Sequence, residues 1–212
     1  MNRKTELKEI SVYSRYGKYI FYPLLIILLI FSGIYGYIKH INKKAEKKYN
    51  TALKLFSENL KHSPSDKKIQ KALIMFEEVI KKYPLSQFSV LSMPLAGYIC
   101  FMKGDYKNSE HYYNMFRKKI SKLEYRFLSA LALSSCYESE NNLNNAIKIL
   151  KKISEQHPKN PFREFALLNL ARLYRMEGKS VQAKKIIKKF LEEYPQSPFF
   201  YMAKSYFLSY NK

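Results

Sequence analysis

The chain has 212 residues, 47% of them hydrophobic, with 38 Lys plus Arg against 17 Asp plus Glu and a formal charge of +21. That length suits one domain with or without a membrane segment, and the apolar fraction excludes wholesale disorder. Two Cys exclude a disulfide framework and a four-thiolate zinc site, while six Gly and eight Pro leave too few turn signals for a many-stranded sandwich or barrel. A charge of +21 points first to nucleic acid. Yet 31 of the basic residues are Lys and 7 are Arg, whereas bidentate grip on phosphates and base edges is mainly an Arg task. A solvated Lys-rich surface is therefore the expected reading and nucleic acid an unlikely partner, with a surface for anionic lipid or nucleic acid kept as the alternative.

Residues 1–18 form a basic tail carrying Arg3, Lys4, Lys8, Arg15 and Lys18. Tyr19 opens and Ile38 closes a run of twenty residues without a charge. A hydrocarbon core of about 30 Å needs about 20 helical residues, so residues 19–38 are expected to span a membrane as one helix. Tyr13, Tyr16, Tyr19 and Tyr22 on one flank and Tyr35 and Tyr37 on the other sit as interfacial aromatics do. Pro23 is placed in the first turn of that helix, where a missing N–H is tolerated. A cleaved signal peptide has a shorter apolar region and a small-residue cleavage site, and neither is present, so the run reads as a retained signal-anchor. Ser32 and Gly36 have the small-xxx-small spacing that would let another helix pack. Residues 39–44 are a basic juxtamembrane segment, and Lys39, Lys43, Lys44, Lys47 and Lys48 balance the basic tail, so flanking charge does not set the orientation. Beyond Ile38 the chain still carries +18.

Residues 45–212 read as helix and repeat with a period of 37. Ala72, Ser109, Ala146 and Ala183 fall in one register. Phe76, Tyr113, Leu150 and Ile187 fall in a second, and Val79, Phe116, Ile153 and Phe190 in a third. Pro84, Pro158 and Pro195 share another, with Ser121 in the fourth place, and Gly104, Asn141 and Gly178 another again. Upstream, Gly97, Ser134 and Ala171 make a small-residue column beside Cys100, Tyr137 and Tyr174. Each unit is thus a helical hairpin: a first helix with a small residue, a turn closed by Gly or Asn in the left-handed conformation, and a second helix with one apolar face that stops near proline. One hairpin cannot bury its apolar face alone, so stacked neighbours supply the core.

This pattern resembles tetratricopeptide repeats, whose period is about 34. Leu170, Ala171, Tyr174, Gly178, Ala183, Ile187, Phe190 and Pro195 match the order of that signature, and Leu133, Ser134, Tyr137, Ala146, Leu150, Ile153 and Pro158 do likewise. Ala96, Gly97, Cys100, Gly104, Ser109, Tyr113 and Phe116 match more loosely. The three extra residues per repeat fall after the proline, as in the stretch from Pro195 to Phe199, and are expected to lengthen the next first helix. In the initial repeat Tyr49 and Ala52 begin a first helix, but His62, Ser63, Pro64 and Ser65 break the link to Ala72. A helix over 197–210 would cap the stack. The expected fold is therefore all-α: an N-terminal transmembrane helix, then an α-solenoid of about four TPR-like hairpins with a C-terminal capping helix.

A basic tail, one anchor and a repeat domain together resemble the ancillary subunit of the bacterial SecYEG translocon. That resemblance implies a single-pass protein of the bacterial cytoplasmic membrane with extracytoplasmic repeats that bind envelope or translocating polypeptides. The phrases around Phe76 and Phe190 are also similar to periplasmic repeat proteins of outer-membrane assembly and cell-division coordination, which implies an adaptor instead.

Chemistry is sparse. His40, His62, His111 and His157 show no ligand spacing, and the glycines are isolated. Glu77 and Glu78, near Lys81 and Lys82, and Glu192 and Glu193, near Lys188 and Lys189, read as exposed i,i+4 charge ladders. Cys100 and Cys136 read as buried free thiols, with a disulfide between adjacent first helices as the alternative. No enzymatic activity, metal or cofactor is expected. A binding groove is expected where the first helices line the concave face, from Tyr98, Phe101, Met102, Glu138, Arg172, Arg175 and Met176, with the two arginines taking a peptide carboxylate beside apolar side chains.

Overall fold

The computed structural model describes residues 3–60, 67–156, 160 and 162–209, with side chains described from residue 19 onward except at 20 and 156. Among the described residues there are nine helices and no strand. They are α1 (Arg3–Glu58), α2 (Lys67–Lys82), α3 (Gln87–Met102), α4 (Tyr106–Lys119), α5 (Leu123–Ser139), α6 (Leu143–Gln156), α7 (Arg163–Met176), α8 (Ser180–Glu193) and α9 (Phe200–Ser209). Successive helices pack on one another in chain order, and α1 also reaches α3.

Tail, apolar run, juxtamembrane segment and first repeat helix form one helix of 56 residues, about 84 Å long. Its apolar window has a mean hydropathy of 2.0 and none of it is buried. By length and composition, α1 is long and apolar enough to cross a membrane. Pro23 lies inside α1, not in its first turn. Gly17 upstream does not interrupt the helix, which begins well before the apolar run. Ser32 and Gly36 are exposed, with nothing within 4 Å of a Cβ at Gly36.

Repeat packing begins inside the basic segment. Ile41 and Ala45 are buried, and Asn42 Oδ1 accepts from the Ser86 hydroxyl at 2.6 Å and from the Gln87 N–H at 3.1 Å. Ser86 in turn caps α3, its Oγ accepting from the Phe88 N–H at 3.2 Å. The first hairpin is complete: Ala52 and Phe56 of α1 bury against Ile69, Ala72, Leu73 and Phe76 of α2. The stretch from His62 to Ser65 lies outside the described residues, as do His157, Pro158 and Tyr210.

The period is visible in the backbone. Second helices end at Lys82, Lys119, Gln156 and Glu193, and first helices at Met102, Ser139 and Met176, each 37 residues apart. α4 stops in register although Ser121 replaces the proline. Gly104, Asn141 and Gly178 have φ of 75°, 58° and 72°. Around each, the same two bonds close the first helix: Asp105 N–H to Cys100 C=O at 2.9 Å, Asn142 to Tyr137 at 2.7 Å and Lys179 to Tyr174 at 2.8 Å, each preceded by an i→i−3 bond from the left-handed residue.

The columns are the core. Ala72, Ser109, Ala146 and Ala183 are fully buried, as are Phe76, Leu150, Val79 and Phe190. Small residues let the hairpin close: the Ser109 hydroxyl donates to the Gly97 carbonyl at 2.8 Å, and a Cβ on Gly97 would meet the Tyr113 ring at 3.2 Å. Cys100 and Cys136 are buried free thiols, and Cys136 Sγ lies 3.2 Å from Ser109 Oγ.

Two further expectations are corrected. The extra residues do not always lengthen the next first helix. α3 and α5 have 16 and 17 residues, but α7 has 14, and after Pro195 the insertion is a turn. Pro198 disfavours helix at the residue before it, and Ser197 Oγ accepts from the Phe199 N–H at 3.1 Å to hold that turn. The acidic pairs are more than exposed ladders. The i,i+4 contacts exist, from Lys82 to Glu78 at 4.0 Å and from Lys188 to Glu192 at 3.8 Å. However, Glu78 also pairs with Lys48 of α1, Glu77 accepts from the Tyr112 hydroxyl at 3.0 Å, and Glu193 binds Arg163. Glu77, Glu78 and Glu193 thus face a neighbouring helix as well as solvent, a relationship that local spacing does not carry, while among the described residues Glu192 keeps only its ladder contact.

Candidate functional site

First helices α5 and α7 and the capping helix α9 enclose two adjoining cavities of about 320 and 400 Å³ that share Phe165, Asn169 and Arg172. The α7–α9 cavity has an apolar floor of Leu168, Ile187, Phe199 and Met202, with Tyr206 and Arg175 at its edge. Phe165 and Phe199 meet edge to face there, with ring centroids 5.4 Å apart. The α5–α7 cavity is lined by Leu128, Leu131, Leu150 and Phe162, with Glu138 at its edge.

Between the cavities, Arg172 is committed. Its Nη2 donates to Glu138 Oε2 at 2.6 Å while Nη1 donates to Oε1, and Nη2 also reaches Asn169 Oδ1 at 3.3 Å. The hydrogen bonds from Arg172 hold the Glu138 carboxyl below its ordinary pKa. This pair is locally neutral, so a ligand carboxylate would have to displace Glu138 to use Arg172. Arg175 lies over the Tyr206 ring at 5.3 Å, and Met176 is exposed with its sulfur 3.4 Å from Arg172 Nη1.

Of the residues expected to line a groove, Glu138, Arg172, Arg175 and Met176 come together here. Tyr98, Phe101 and Met102 do not. Tyr98 is exposed on α3 with its ring edge-on to Phe56 of α1, and Phe101 packs on Tyr106 and against the Leu133 cluster. Met102 packs against the α1–α2–α3 core.

Sequence reasoning missed the apolar lining, although the signal was the period itself. Leu91, Leu128, Phe165 and Met202 stand 37 residues apart on α3, α5, α7 and α9. They are 44%, 40%, 37% and 42% exposed, a row of large apolar side chains left open on successive first helices. Phe88, Tyr125, Phe162 and Phe199 form an aromatic column beside it, in the same register. Among the described residues, no three of His, Cys, Asp and Glu are grouped to hold a metal. What this surface offers is apolar contact along a line, framed by an internally paired charge.

The fold is that of a TPR-like repeat protein. The tetratricopeptide repeat family model matches residues 129–160 and 165–197, the third and fourth hairpins. A crystal structure of nearly identical TPR-like repeats, from a Podosopora anserina protein named for kinesin light chain, aligns with a TM-score of 0.60 at 14% identity, over 80% of this chain and 86% of that one. A single-substitution variant of it aligns with the same score and identity over 80% and 85%. No curated protein sequence matches the chain.

Proposed function

We propose that this chain is a non-enzymatic, membrane-anchored scaffold that binds extended polypeptide along its first helices. The observation that carries this reading is the exposed row of Leu91, Leu128, Phe165 and Met202. An extended peptide keeps a constant advance of about 3.3 Å per residue, so one apolar anchor per repeat suits a ligand whose apolar side chains recur at a regular interval. TPR-like stacks are in general protein-binding surfaces, and the open concave row is where such a ligand buries area. α1 supplies the anchor in this reading, and the likeness to the ancillary translocon subunit supports a place in the bacterial cytoplasmic membrane with extracytoplasmic repeats and translocating or envelope proteins as partners. Much of the charge then coats the outer face, where Lys148, Lys151, Lys152, Lys185 and Lys188 are exposed on second helices.

A photoreactive residue in place of Phe165 or Met202 tests this in intact membranes. The expected result is a crosslink to polypeptide that is absent when the photoreactive residue replaces exposed Lys152 on the outer face. Equal labelling from both faces would overturn the groove assignment. Reporter fusions after Asn42 and at Lys212 test the orientation, and a cytoplasmic repeat domain would remove the translocon reading.

A further inference from the structure

α4 ends and α5 begins around a cavity of about 370 Å³ lined by Asn114, Arg117, Lys118, Ile120 and Arg126. Arg163, Arg172 and Arg175 each face a carboxylate or a ring. Among the described residues, Arg117 and Arg126 have no ion pair. Arg117 Nε is buried without a hydrogen-bond partner. A buried, unpaired guanidinium N–H costs free energy, so its persistence calls for an explanation. Burial first, and then the nearby Arg126 charge, pull the Arg117 pKa below its ordinary value. Acids on the same two helices do not pair with it: Glu110 is taken by the Tyr137 hydroxyl at 2.6 Å, and Glu124 is exposed on α5.

The position of the cavity suggests what fills it. Asn42 bonds the start of α3 and lies four residues past Ile38, about 6 Å along the helix. A headgroup layer extends about 5–8 Å beyond the hydrocarbon core on each side. α3 and α4 are antiparallel about the Gly104 turn, as Ser109 against Gly97 shows, so the end of α4 returns to the level of Asn42. Leu85, in the turn at that level, is 65% exposed. Two guanidiniums, an adjacent ammonium and Ile120 thus lie on the edge of the stack nearest the end of the apolar run.

We propose that Arg117, Lys118 and Arg126 hold the phosphate of an anionic phospholipid headgroup, fixing the repeat stack at a set angle to the membrane surface. This rests on the reading of α1 as a membrane anchor. Guanidinium forks suit phosphate oxygens, and Lys118 adds a point charge at the cavity mouth. Held through the terminal guanidinium nitrogens that face the cavity, the headgroup phosphate places a negative charge between the two like charges.

The full chain, reconstituted into vesicles of phosphatidylcholine with or without phosphatidylglycerol, tests this with a phosphatidylglycerol tracer that is photoreactive at its headgroup. The tracer is expected to label residues 114–126, and the double variant Arg117→Gln/Arg126→Gln to lose that label at least about tenfold. Lys118→Gln, at an exposed position, is expected to lose a few-fold. The charge-matched pair Lys148→Gln/Lys152→Gln is expected to keep the label. Equal losses from both pairs would mean diffuse attraction and overturn the site. Displacement of the tracer by equimolar inorganic phosphate, or by a short RNA, would assign the pocket to another anion and overturn the lipid assignment. Alkaline carbonate extraction reports the anchor separately: a chain that stays in the bilayer but takes no label overturns the headgroup site alone.

Discussion

Arg172 of α7 grips Glu138 of α5 through both terminal nitrogens, joining two first helices between the two cavities. The link removes one cation and one anion from the binding surface and leaves its apolar row to dominate.

Replacing Glu138 by Gln is expected to lower stability at neutral pH by less than about 1 kcal/mol, because the pair is partly solvated. The Glu138 pKa is depressed in the folded state, so its contribution is present above the ordinary glutamate value of about 4.3. It is lost as pH falls through the folded value. Urea unfolding of the full chain in detergent should therefore show a wild-type advantage at neutral pH that vanishes in acid. An advantage that persists in acid would mean that the carboxylate charge is not its source.

The three left-handed turn residues should separate conformational cost from steric cost. A Cβ at Gly104 or Gly178 meets nothing within 4 Å, so Ala there costs only the positive φ, about 1–2 kcal/mol. Asn141 already tolerates that conformation, and Asn141→Gly should change stability by less than about 1 kcal/mol. Gly97→Ala is expected to cost about 1–3 kcal/mol for a different reason, because its methyl meets the Tyr113 ring at 3.2 Å. Adding Tyr113→Leu should recover part of that loss and none of the loss at Gly178, as thermal melts would show.

These positions also show why the fold was legible before the structure. Gly104, Asn141 and Gly178, and the buried columns through Ala146 and Phe190, obey local rules that a period of 37 repeats. The candidate site was legible only in part. Glu138 and Arg172 were found through the register, but their mutual pairing depends on how α5 and α7 stack. Leu128, Phe165 and Met202 obey the same period as the core columns. An apolar residue in register reads as core unless the helix rotation is known, which is why the open row stayed hidden.

Arg163 is a second interaction between helices that no spacing predicts. It is buried, its Nε donates to the Ser154 carbonyl at 2.7 Å, and its Nη1 donates to the Tyr194 hydroxyl at 3.2 Å and to Glu193. One side chain thus joins the ends of α6 and α8 to the start of α7. Arg163→Ala leaves those acceptors without their donor and is expected to cost about 2–4 kcal/mol. Arg163→Lys is expected to recover little of this, because one ammonium cannot span the three acceptors. Full recovery with Lys in denaturant titrations would show that charge alone is sufficient.

The thiols should be inert in the native state. Burial, with Asp105 and Glu77 adding to it, pushes the Cys100 thiol up to about 11, and burial raises Cys136 as well. Thiolate is the reactive form, so both should resist maleimide at neutral pH and label fully in denaturant. Rapid native labelling of either would place it at a surface or in an opening segment.

The sharpest separation of architecture from function lies in residues that share the period but not the burial. Phe190 is fully buried between α8 and its neighbours, and Phe190→Ala is expected to cost about 3–5 kcal/mol. Leu128 is 40% exposed and Met202 is 42% exposed, so Leu128→Ser and Met202→Ser should each shift stability by only about 0.5 kcal/mol. If the open row binds polypeptide, the two Ser variants should nonetheless lose most of the crosslinking seen from Phe165, because an extended ligand loses its apolar contact on the repeats flanking the photoreactive position. Phe190→Ala, at a temperature where it remains folded, should keep crosslinking. A reversed outcome, with binding kept by the surface variants and lost on loosening the core, would mean that the ligand recognises the curvature of the stack and not its apolar row.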